Sequence, residues 1–470
     1  MWLSEHMCES IQYRSATHTH NEKKEDVLIN YLSKHSIPMQ DICIVGGYIL
    51  ETLGLRHSTD IDFIIVSDKR KSIPIPTEES IDLVPRNGGN WHPSIPNDEI
   101  IQNSAYHSIL PSGLKICRLK LVQDKKKTKR KKDLQDLELI TLYQNCGTIT
   151  GEREPNFSGF LWPPAESHWM DIIKDLNETV PVASYCTYDF GNDATAFEKK
   201  IFDIYSTDDI DPQKIKNVKL PAMSLPNLNR RVLFFELRIT NPAYRKKDVG
   251  TKISTTVENV KRKIRQKYKT KVQNYVYDTI IHVTDNTTQS TQIKSLLRDK
   301  NTNITSRYLN YSYLLYCQFL NAQFGRPDIA VRLHSIQQLY SLQKENENDF
   351  ELYSKMQQLR KGSVCTNCVA NFKKLIQSMS SRVFDSNTPI ILGKDKKLID
   401  GSHRMACSYY FKIPFVVVKL TSRPDPGYTY KWFSQHSQQT TNTPFFTRSD
   451  LIKILKCVTE MQMFVNKNWK

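Results

Sequence analysis

The sequence has no long hydrophobic run, and this absence argues against a membrane-spanning helix. The longest apolar stretches, such as Phe415–Val418, are far shorter than the ~20 residues that a helix needs to cross a bilayer. The first residues, from Met1 onward, also lack the basic and then apolar layout of a secretory signal peptide. We therefore expect an intracellular protein without a membrane span, located in the cytoplasm unless a basic run described below directs it to the nucleus.

Cysteine pairs are also scarce. The chain has 10 cysteines in 470 residues, and they are scattered rather than regularly spaced, which favours reduced thiols over a disulfide framework. Only Cys365 and Cys368 have the spacing of a metal-ligand pair, and the sequence offers neither a second pair nor nearby histidines to complete a zinc site. We interpret these cysteines as incidental.

The chain has fewer acidic residues than basic residues, 49 against 66. The formal net charge of +17 favours an anionic partner, which could be a nucleotide, a sugar phosphate, a nucleic acid or an anionic membrane surface. The densest basic run, Lys125–Lys132, contains no aromatic residue, so the stacking part of single-strand binding is missing there. Three interpretations of this run stay open: the solvated face of a helix, a patch for phosphates or nucleic acid, and a nuclear import signal.

The chain is long enough for several domains. Its length predicts about three domains with substantial cores, and its hydrophobic content of 39% is ordinary for a globular protein. The patterns predict a multidomain protein of the α/β and α+β classes. They divide it into a mixed-sheet domain at 1–150, an α/β domain at 155–305, a helical bridge at 306–380 and a last domain at 381–470.

The most informative stretch joins two glycines to two aspartates. A predicted apolar strand runs into Gly46 and Gly47, and a second strand opens with Asp60 and Asp62. Residues two apart on a strand point to the same face, about 7 Å apart, and carboxylates so placed repel unless a cation lies between them. Glycines let the backbone approach a phosphate closely. A third carboxylate, Asp82, falls in the next predicted strand, whereas a simple surface turn would not explain two acids beside an apolar run.

This pattern resembles the minimal nucleotidyltransferases of the polymerase-β superfamily over roughly the first third of the chain. The residues that carry the resemblance are Gly46-Gly47, Arg56-x-Ser58-x-Asp60-Ile61-Asp62-Phe63, Ile81-Asp82-Leu83 and the segment Lys120–Asp136, which is similar to the helix that closes such domains. The resemblance implies a mixed-sheet nucleotidyltransferase core. It also implies that Asp60, Asp62 and Asp82 bind Mg²⁺ or Mn²⁺, and that Gly46, Gly47 and Ser58 hold a nucleoside triphosphate.

The activity implied by this resemblance is nucleotidyl transfer. A nucleoside monophosphate would move from the triphosphate to an acceptor hydroxyl or phosphate, with release of pyrophosphate and with Asp82 as a second-metal ligand or base. The acceptor is an unidentified small molecule, glycan or macromolecule, and glycan or phospho-metabolite biosynthesis is one setting that fits. A regulatory or antitoxin-like transferase that acts on protein or RNA is a further interpretation.

The central region predicts a β-α-β unit. A strand at 232–237 precedes an apolar helix face, and a second strand at 276–283 is expected to run parallel to the first. The helix face is formed by residues at steps of 4, 3 and 4: Ile253, Val257, Val260 and Ile264. The second strand ends at His282 and Asp285, which are second-tier site candidates because open α/β sheets bind ligands at the carboxyl ends of strands. The alternative is a half-buried His282 and a helix-capping Asp285.

The last third of the chain predicts a hairpin followed by a helix. Two short strands within 389–400 flank a turn, and Asp400-Gly401 leads into a helix whose first turn contains His403 and Arg404. Backbone N–H groups, a histidine and an arginine fork together make a cradle for phosphate. The simpler alternative is Asp400 as a helix cap and Arg404 in a surface ion pair.

Residues 380–425 resemble the ParB/sulfiredoxin-like nucleotide-binding fold. Gly401 and Arg404 match its Gly-x-x-Arg turn, and the wider form is similar to the free-serine-kinase branch. The resemblance implies that Gly401, His403 and Arg404 bind a nucleotide phosphate and that Asp400 is a candidate base, whereas Ser402 stands where thiol-repair members have cysteine. An alternative for the whole chain is therefore a nucleotide-responsive nucleic-acid-binding protein of ParB-like type that uses Lys125–Lys132.

Overall fold

A computed structural model of the chain describes most residues from Asn21 to Trp469. The described ranges are 21–128, 130–208, 210–246, 252–273, 275–276, 279–297, 303–322, 324–341, 350–361, 366–381, 387–436 and 446–469. Cys365 of the cysteine pair, Lys129 of the basic run and the first 20 residues lie outside them. Within these ranges, no helix combines the length and apolar character that crossing a membrane requires.

The chain is a mixed α/β protein with two compact units. Unit 1 consists of the described residues of Met1–Thr148, Gln323–Ala370 and Gly427–Gln462, and unit 2 of those of Ile149–Ala322, Asn371–Pro426 and Met463–Lys470. Each unit contains one mixed sheet with helices packed on it. Two helices, α15 (Cys368–Ser380) and α18 (Arg448–Trp469), contribute residues to both units.

Unit 1 contains a five-stranded sheet. Its strands are β1 (Ile42–Val45), β2 (Ile61–Ile65), β3 (Ile81–Leu83), β4 (His107–Ile109) and β5 (Lys115–Cys117). Its helices are α1 (Asn21–Lys34), α2 (Tyr48–Thr52), α3 (Asn97–Gln102), α4 (Leu119–Lys125), α5 (Lys131–Asn145), α13 (Pro327–Ser341), α14 (Glu351–Lys361) and α17 (Tyr430–His436). The strand order is β3-β2-β1-β5-β4, in which β1 is antiparallel to β2, and β2 is parallel to β3.

The register of three strands brings the predicted acids and glycines to one end of this sheet. Val45 pairs with Asp62 across the antiparallel β1–β2 ladder, so the end of β1 lies beside the beginning of β2. Asp62 pairs with Asp82 across the parallel β2–β3 ladder. The apolar residues of β1 and β2 are buried, which anchors both strands in the core. The glycine turn after β1 therefore lies directly over Asp62.

Unit 2 contains an eight-stranded sheet and a separate hairpin. The sheet strands are β6 (Phe157–Leu161), β7 (Val182–Asp189), β8 (Arg231–Leu237), β11 (Ile281–Val283), β12 (Asn303–Asn310), β13 (Ile390–Leu392), β14 (Leu398–Asp400) and β15 (Phe415–Leu420). The hairpin strands are β9 (Tyr244–Lys246) and β10 (Lys252–Ser254). The sheet order is β11-β6-β8-β7-β12-β15-β13-β14, and its pairs are antiparallel except for β13 with β15.

The helices of unit 2 cover both faces of this sheet. They are α6 (Trp169–Thr179), α7 (Ala194–Tyr205), α8 (Pro212–Lys214), α9 (Leu220–Met223), α10 (Thr255–Tyr268), α11 (Thr287–Leu296), α12 (Tyr311–Phe319) and α16 (Ser402–Phe411), with a π-helical turn at Ile215–Lys219. Alternate residues of β8 enter two cores: Phe235 packs with α6 and α10, whereas Phe234 packs with α7 and α11. This explains the continuous apolar run of the strand.

Several predicted elements of unit 2 are present with changed details. Strands β8 and β11 are both antiparallel to β6, so they run parallel to each other, as expected, with β6 between them. Helix α10 buries Val257, Val260 and Ile264, but Ile253 belongs to β10. Residues 306–310 belong to β12 rather than to a helix, because β12 pairs with a strand on each side.

Candidate functional site

The glycine turn after β1 is packed against the predicted site residues so tightly that it has no room for side chains. Gly46 has a φ of +75°, and a Cβ atom there would overlap the Asp62 carboxylate. A Cβ atom on Gly47 would come within 2.8 Å of Ser58 Oγ and 3.0 Å of Arg56 Nη2. Gly46 combines a left-handed backbone with this overlap, which favours glycine strongly, whereas a side chain at Gly47 would have to displace the ends of Ser58 and Arg56.

A cleft of about 990 Å³ opens at this turn. Gly46, Gly47, Ser58, Asp60 and Asp62 all line it, so the structure brings five of the predicted residues together. The basic residues of the remaining lining are Arg56, five members of the Lys125–Lys132 run and Arg448, and the buried acids Asp133 and Asp136 lie among them.

Asp82, unlike Asp60 and Asp62, lies outside the cleft lining. Although it pairs with Asp62 across the ladder, it is not part of the cleft lining, and its carboxylate accepts hydrogen bonds from Arg86 Nε and Nη2 at 3.2 and 3.3 Å. Its charge nevertheless acts on Asp62.

Asp62 is the most perturbed carboxyl in the cleft. Burial raises the pKa of Asp62 to about 6, and the neighbouring charges of Asp60 and Asp82 add to this increase. A hydrogen bond from the Gly47 N–H group and the charge of Lys126 act in the opposite direction but do not cancel it. A cation bound beside a carboxyl in this position would favour its charged form and lower its pKa again.

The donor set of the cleft fits a divalent cation that shares its ligands with a substrate. In the described part of the chain, no three His, Cys, Asp or Glu side chains come together to form a metal site made of protein alone. Mg²⁺ usually takes one or two carboxylates and completes its octahedron with waters and substrate phosphates. Asp60 and Asp62 beside the glycine turn match that demand, and a cation would offset both the burial and the neighbouring negative charges that raise the pKa of Asp62.

Glu51 holds the loop that contains Ser58, and the sequence analysis did not identify it. Its Oε2 atom accepts the Ser58 N–H at 2.6 Å and lies 3.0 Å from both Lys24 Nζ and His57 Nδ1. Burial alone would raise the pKa of Glu51, but the hydrogen bond from His57 and the charge of Lys24 outweigh it and leave the pKa lowered. Glu51 lies on the buried face of α2, so it fixes this loop relative to the glycine turn.

The basic run does not form one helix face. It spans the end of α4, a turn and the start of α5, and Lys126 turns inward to meet Asp133 at 3.2 Å and Asp136 at 2.7 Å. Both aspartates are fully buried, and Asp133 also pairs with Arg130 at 2.6 Å. Part of the run is therefore a structural network, and Lys127 pairs with Asp124 outside the cleft lining.

Three lysines of the run remain available to a ligand. Lys125, Lys131 and Lys132 line the cleft, and none of them forms an ion pair with another described residue. These three lysines give the cleft positive charge, and Asp60 and Asp62 give it negative charge.

The start of α18 completes the cleft from a distant part of the sequence. Arg448 Nε lies 3.3 Å from Asp136 Oδ1, and Ser449 also lines the cleft. Thr447 and Asp450 cap the helix reciprocally: the Asp450 N–H donates to Thr447 Oγ1, and the Thr447 N–H donates to the Asp450 carboxylate. A threonine three residues before an acid and an apolar run is a local pattern that could have predicted this helix start, but not its place at the cleft.

The second-tier residues lie in unit 2 and form a buried group of their own. His282 Nδ1 is 3.5 Å from Asp208 Oδ2, and burial together with Lys261 and Lys219 lowers the pKa of His282 well below its ordinary value, so the ring is neutral. Asp285 pairs with Lys261 at 2.7 Å. The residue that caps α11 is Asn286, not Asp285.

The predicted C-terminal residues meet at the start of α16. Gly401 has a φ of +102° and its N–H group donates to the Asp400 carboxylate at 2.7 Å. Arg404 Nη1 donates to the carbonyl oxygens of Thr388 and Pro389, the latter at 2.9 Å. The His403 ring packs edge-on against Phe372 at 4.7 Å between centroids. These contacts order the turn, while the Asp400 side chain stays 74% exposed.

Comparisons with known proteins identified no relative. The chain matches no protein-family model, no curated protein and no solved structure.

Proposed function

We propose that unit 1 is a nucleotidyltransferase that moves a nucleoside monophosphate from a nucleoside triphosphate to an acceptor hydroxyl or phosphate. The observation that supports this most directly is the packing of Asp62 against the Gly46–Gly47 turn at the acidic end of a cleft whose other wall is basic. A cleft of this kind suits a ligand that has several negative charges and brings a cation with it.

Each residue has a defined part in this proposal. The backbone of Gly46 and Gly47 and the Ser58 hydroxyl bind the β- and γ-phosphates, with Glu51 holding Ser58 in place. Asp60 and Asp62 would hold Mg²⁺ or Mn²⁺, and Asp82 would serve as a further ligand or as the base for the acceptor hydroxyl. When bound, a divalent cation supplies Lewis-acid polarisation of the reacting phosphate.

The proposed reaction is a displacement at the α-phosphorus. The acceptor oxygen forms a bond to that phosphorus, the bond to the bridging oxygen breaks, pyrophosphate leaves, and the acceptor proton passes to a carboxylate or to water. Lys125, Lys131 and Lys132 supply positive charge along the wall that the leaving pyrophosphate or the acceptor would follow.

The test uses the full chain with each labelled nucleoside triphosphate and Mg²⁺ or Mn²⁺. We expect one nucleotide to raise the melting temperature and to yield pyrophosphate, and the double variant Asp60→Asn/Asp62→Asn to lose both effects. Asp68→Asn removes an exposed acid of the same unit and is the matched control. Full pyrophosphate release by the double variant would contradict the assignment.

The C-terminal residues support a second module that binds a nucleotide phosphate, with phosphoryl transfer as its candidate reaction. The supporting observation is a left-handed Gly401 that opens α16, followed by His403 and Arg404 in the first turn. Arg404→Ala should reduce the thermal shift caused by ATP or CTP, whereas the exposed Arg423→Ala should not. Because Arg404 also binds two carbonyl oxygens, each shift is measured against the ligand-free variant. Equal shifts for both variants and the wild type would argue against this module.

A further inference from the structure

A second cavity, of about 560 Å³, lies in unit 2 along helix α10, and we call it the α10 groove. The charged residues that line it are Arg245, Glu258, Lys261, Arg262, Arg265 and Lys269. Five of these six side chains are cationic. The groove is therefore strongly basic, and it lies in a part of the chain that the proposed nucleotidyltransferase site does not use.

Internal ion pairs remove only part of this charge. Arg245 binds the Glu258 carboxylate through two hydrogen bonds of 2.9 and 2.8 Å, and Lys261 pairs with Asp285 at 2.7 Å. Arg262 and Lys269 form no ion pair with any residue that the structure describes. Among the described residues, positive charge thus remains in the groove after the Glu258 and Asp285 carboxylates have been paired.

The cations are arranged along one rigid line. Arg262, Arg265 and Lys269 follow one another at steps of 3 and 4, which places them on one stripe that ends at the residue after α10. The opposite face of α10 is packed in the core through Val260 and Ile264, and this packing holds the helix and its cationic stripe in place. The three cations span about 10 Å at 1.5 Å per residue, longer than a single phosphate group requires.

We infer that the α10 groove binds the phosphate backbone of a single-stranded nucleic acid. A line of cations in a concave surface follows a chain of phosphates. Tyr244, which is 40% exposed and precedes the groove residue Arg245 on β9, offers an aromatic surface on which a base stacks. A membrane surface is flat and would contact protruding residues instead of this concavity. The inference is independent of the activity proposed for unit 1.

Binding is measured by fluorescence polarisation of a labelled oligonucleotide of about 16 nucleotides, the upper site size for one small binding domain. Each lost phosphate contact to a single strand lowers the salt slope by about 0.7, which is about fivefold in affinity at about 0.1 M salt. We therefore expect Arg262→Ala/Lys269→Ala to weaken binding about 25-fold at that salt and to reduce the slope by about 1.4.

The matched control is Lys263→Ala/Lys267→Ala, which removes the same charge from the same helix outside the groove lining. It should bind with nearly wild-type affinity, and circular dichroism should show that both double variants keep α10 folded. Asp60→Asn/Asp62→Asn should also bind normally, which separates this result from the proposed enzyme activity. Equal losses of affinity in Arg262→Ala/Lys269→Ala and Lys263→Ala/Lys267→Ala, or no oligonucleotide binding by the wild type, would overturn the inference. So would a parallel assay in which Arg262→Ala/Lys269→Ala loses binding to anionic vesicles but not to the oligonucleotide.

Discussion

Arg56 binds Asp136 through two short hydrogen bonds, from Nε to Oδ1 at 2.6 Å and from Nη2 to Oδ2 at 2.8 Å. The two residues are 80 positions apart, and both are buried. The pair fastens the loop before β2, which contains Ser58, to helix α5. Lys126 and Arg448 also approach Asp136, so three cations share one buried carboxylate.

Asp136→Asn should destabilise unit 1 strongly. Removing this charge leaves Arg56 and Arg448 without their carboxylate and Lys126 with Asp133 alone. Breaking a buried pair in this way costs about 3–5 kcal/mol of unfolding free energy. Burial alone would raise the pKa of Asp136, but Arg56 and then Lys126 lower it below the ordinary value. The stabilisation is therefore present near neutral pH and is lost as the pH falls through the lowered pKa.

Chemical denaturation at neutral and acid pH measures this effect. The control is Asp124→Asn, because Asp124 pairs with the exposed lysines Lys120 and Lys127, and such pairs contribute at most about 1 kcal/mol. Similar losses for the two variants would show that the Arg56–Asp136 pair does not anchor the loop.

Gly46→Ala should damage the site beyond its effect on the backbone. Gly46 and Gly88 have nearly the same φ, +75° and +79°, but a Cβ atom at position 88 would meet nothing within 4 Å, whereas one at position 46 would overlap Asp62. Both variants bear the cost of a left-handed alanine, about 1–2 kcal/mol. We expect only Gly46→Ala to abolish the nucleotide-induced thermal shift. If Gly88→Ala abolishes it as well, the turn is sensitive for another reason.

Asp62→Asn should stabilise the metal-free protein at neutral and higher pH. Because the folded pKa of about 6 lies above the ordinary aspartate value, folding becomes less favourable as the pH rises through that interval. The cost reaches at most about 3 kcal/mol once the carboxyl is ionised, and the asparagine variant avoids it. The difference between variant and wild type should vanish near pH 4 and shrink when Mg²⁺ is added. A gain that does not change with pH would mean that Asp62 is not strained by its neighbours.

Glu51→Gln should weaken nucleotide binding without removing a phosphate ligand. The amide keeps the size of the side chain but loses the charge that holds Lys24, His57 and the Ser58 N–H. We expect an affinity about tenfold lower, which corresponds to one charge-assisted hydrogen bond. Isothermal titration calorimetry measures this, with the exposed Glu79→Gln as control. Wild-type affinity in Glu51→Gln would show that Ser58 is held by other contacts.

The local patterns of the sequence predicted most of what local forces determine. The apolar run that opens with Asp60 and Asp62 located β2, and the spacing of Val257, Val260 and Ile264 located α10. Glycine itself indicated the turn at Gly46 and the start of α16 at Gly401, and both residues have a positive φ in the structure. In each case a period or a backbone requirement acts within a few residues, so it is visible in the one-dimensional order.

Long-range contacts explain what the sequence did not show. Glu51 looks like an ordinary helix residue until the fold places it under Ser58, and Asp136 acquires its partner from 80 positions earlier. The approach of Arg448 to the cleft follows from tertiary packing alone. Such contacts bring together residues with no shared period, because the sheet and the distant helix determine the distances between them.

The place of β12 in the larger sheet has a consequence for any shortened form of this protein. β12 is paired with β7 on one side and with β15 on the other, and β15 comes from a segment about 100 residues later in the chain. A polypeptide that stops before Ile390 would lose β13, β14 and β15 together. The outer N–H and C=O groups of β12 would then be bare, and exposed strands of this kind recruit one another. Such fragments should form insoluble assemblies, whereas adding residues 387–469 as a separate polypeptide should restore a dispersed protein.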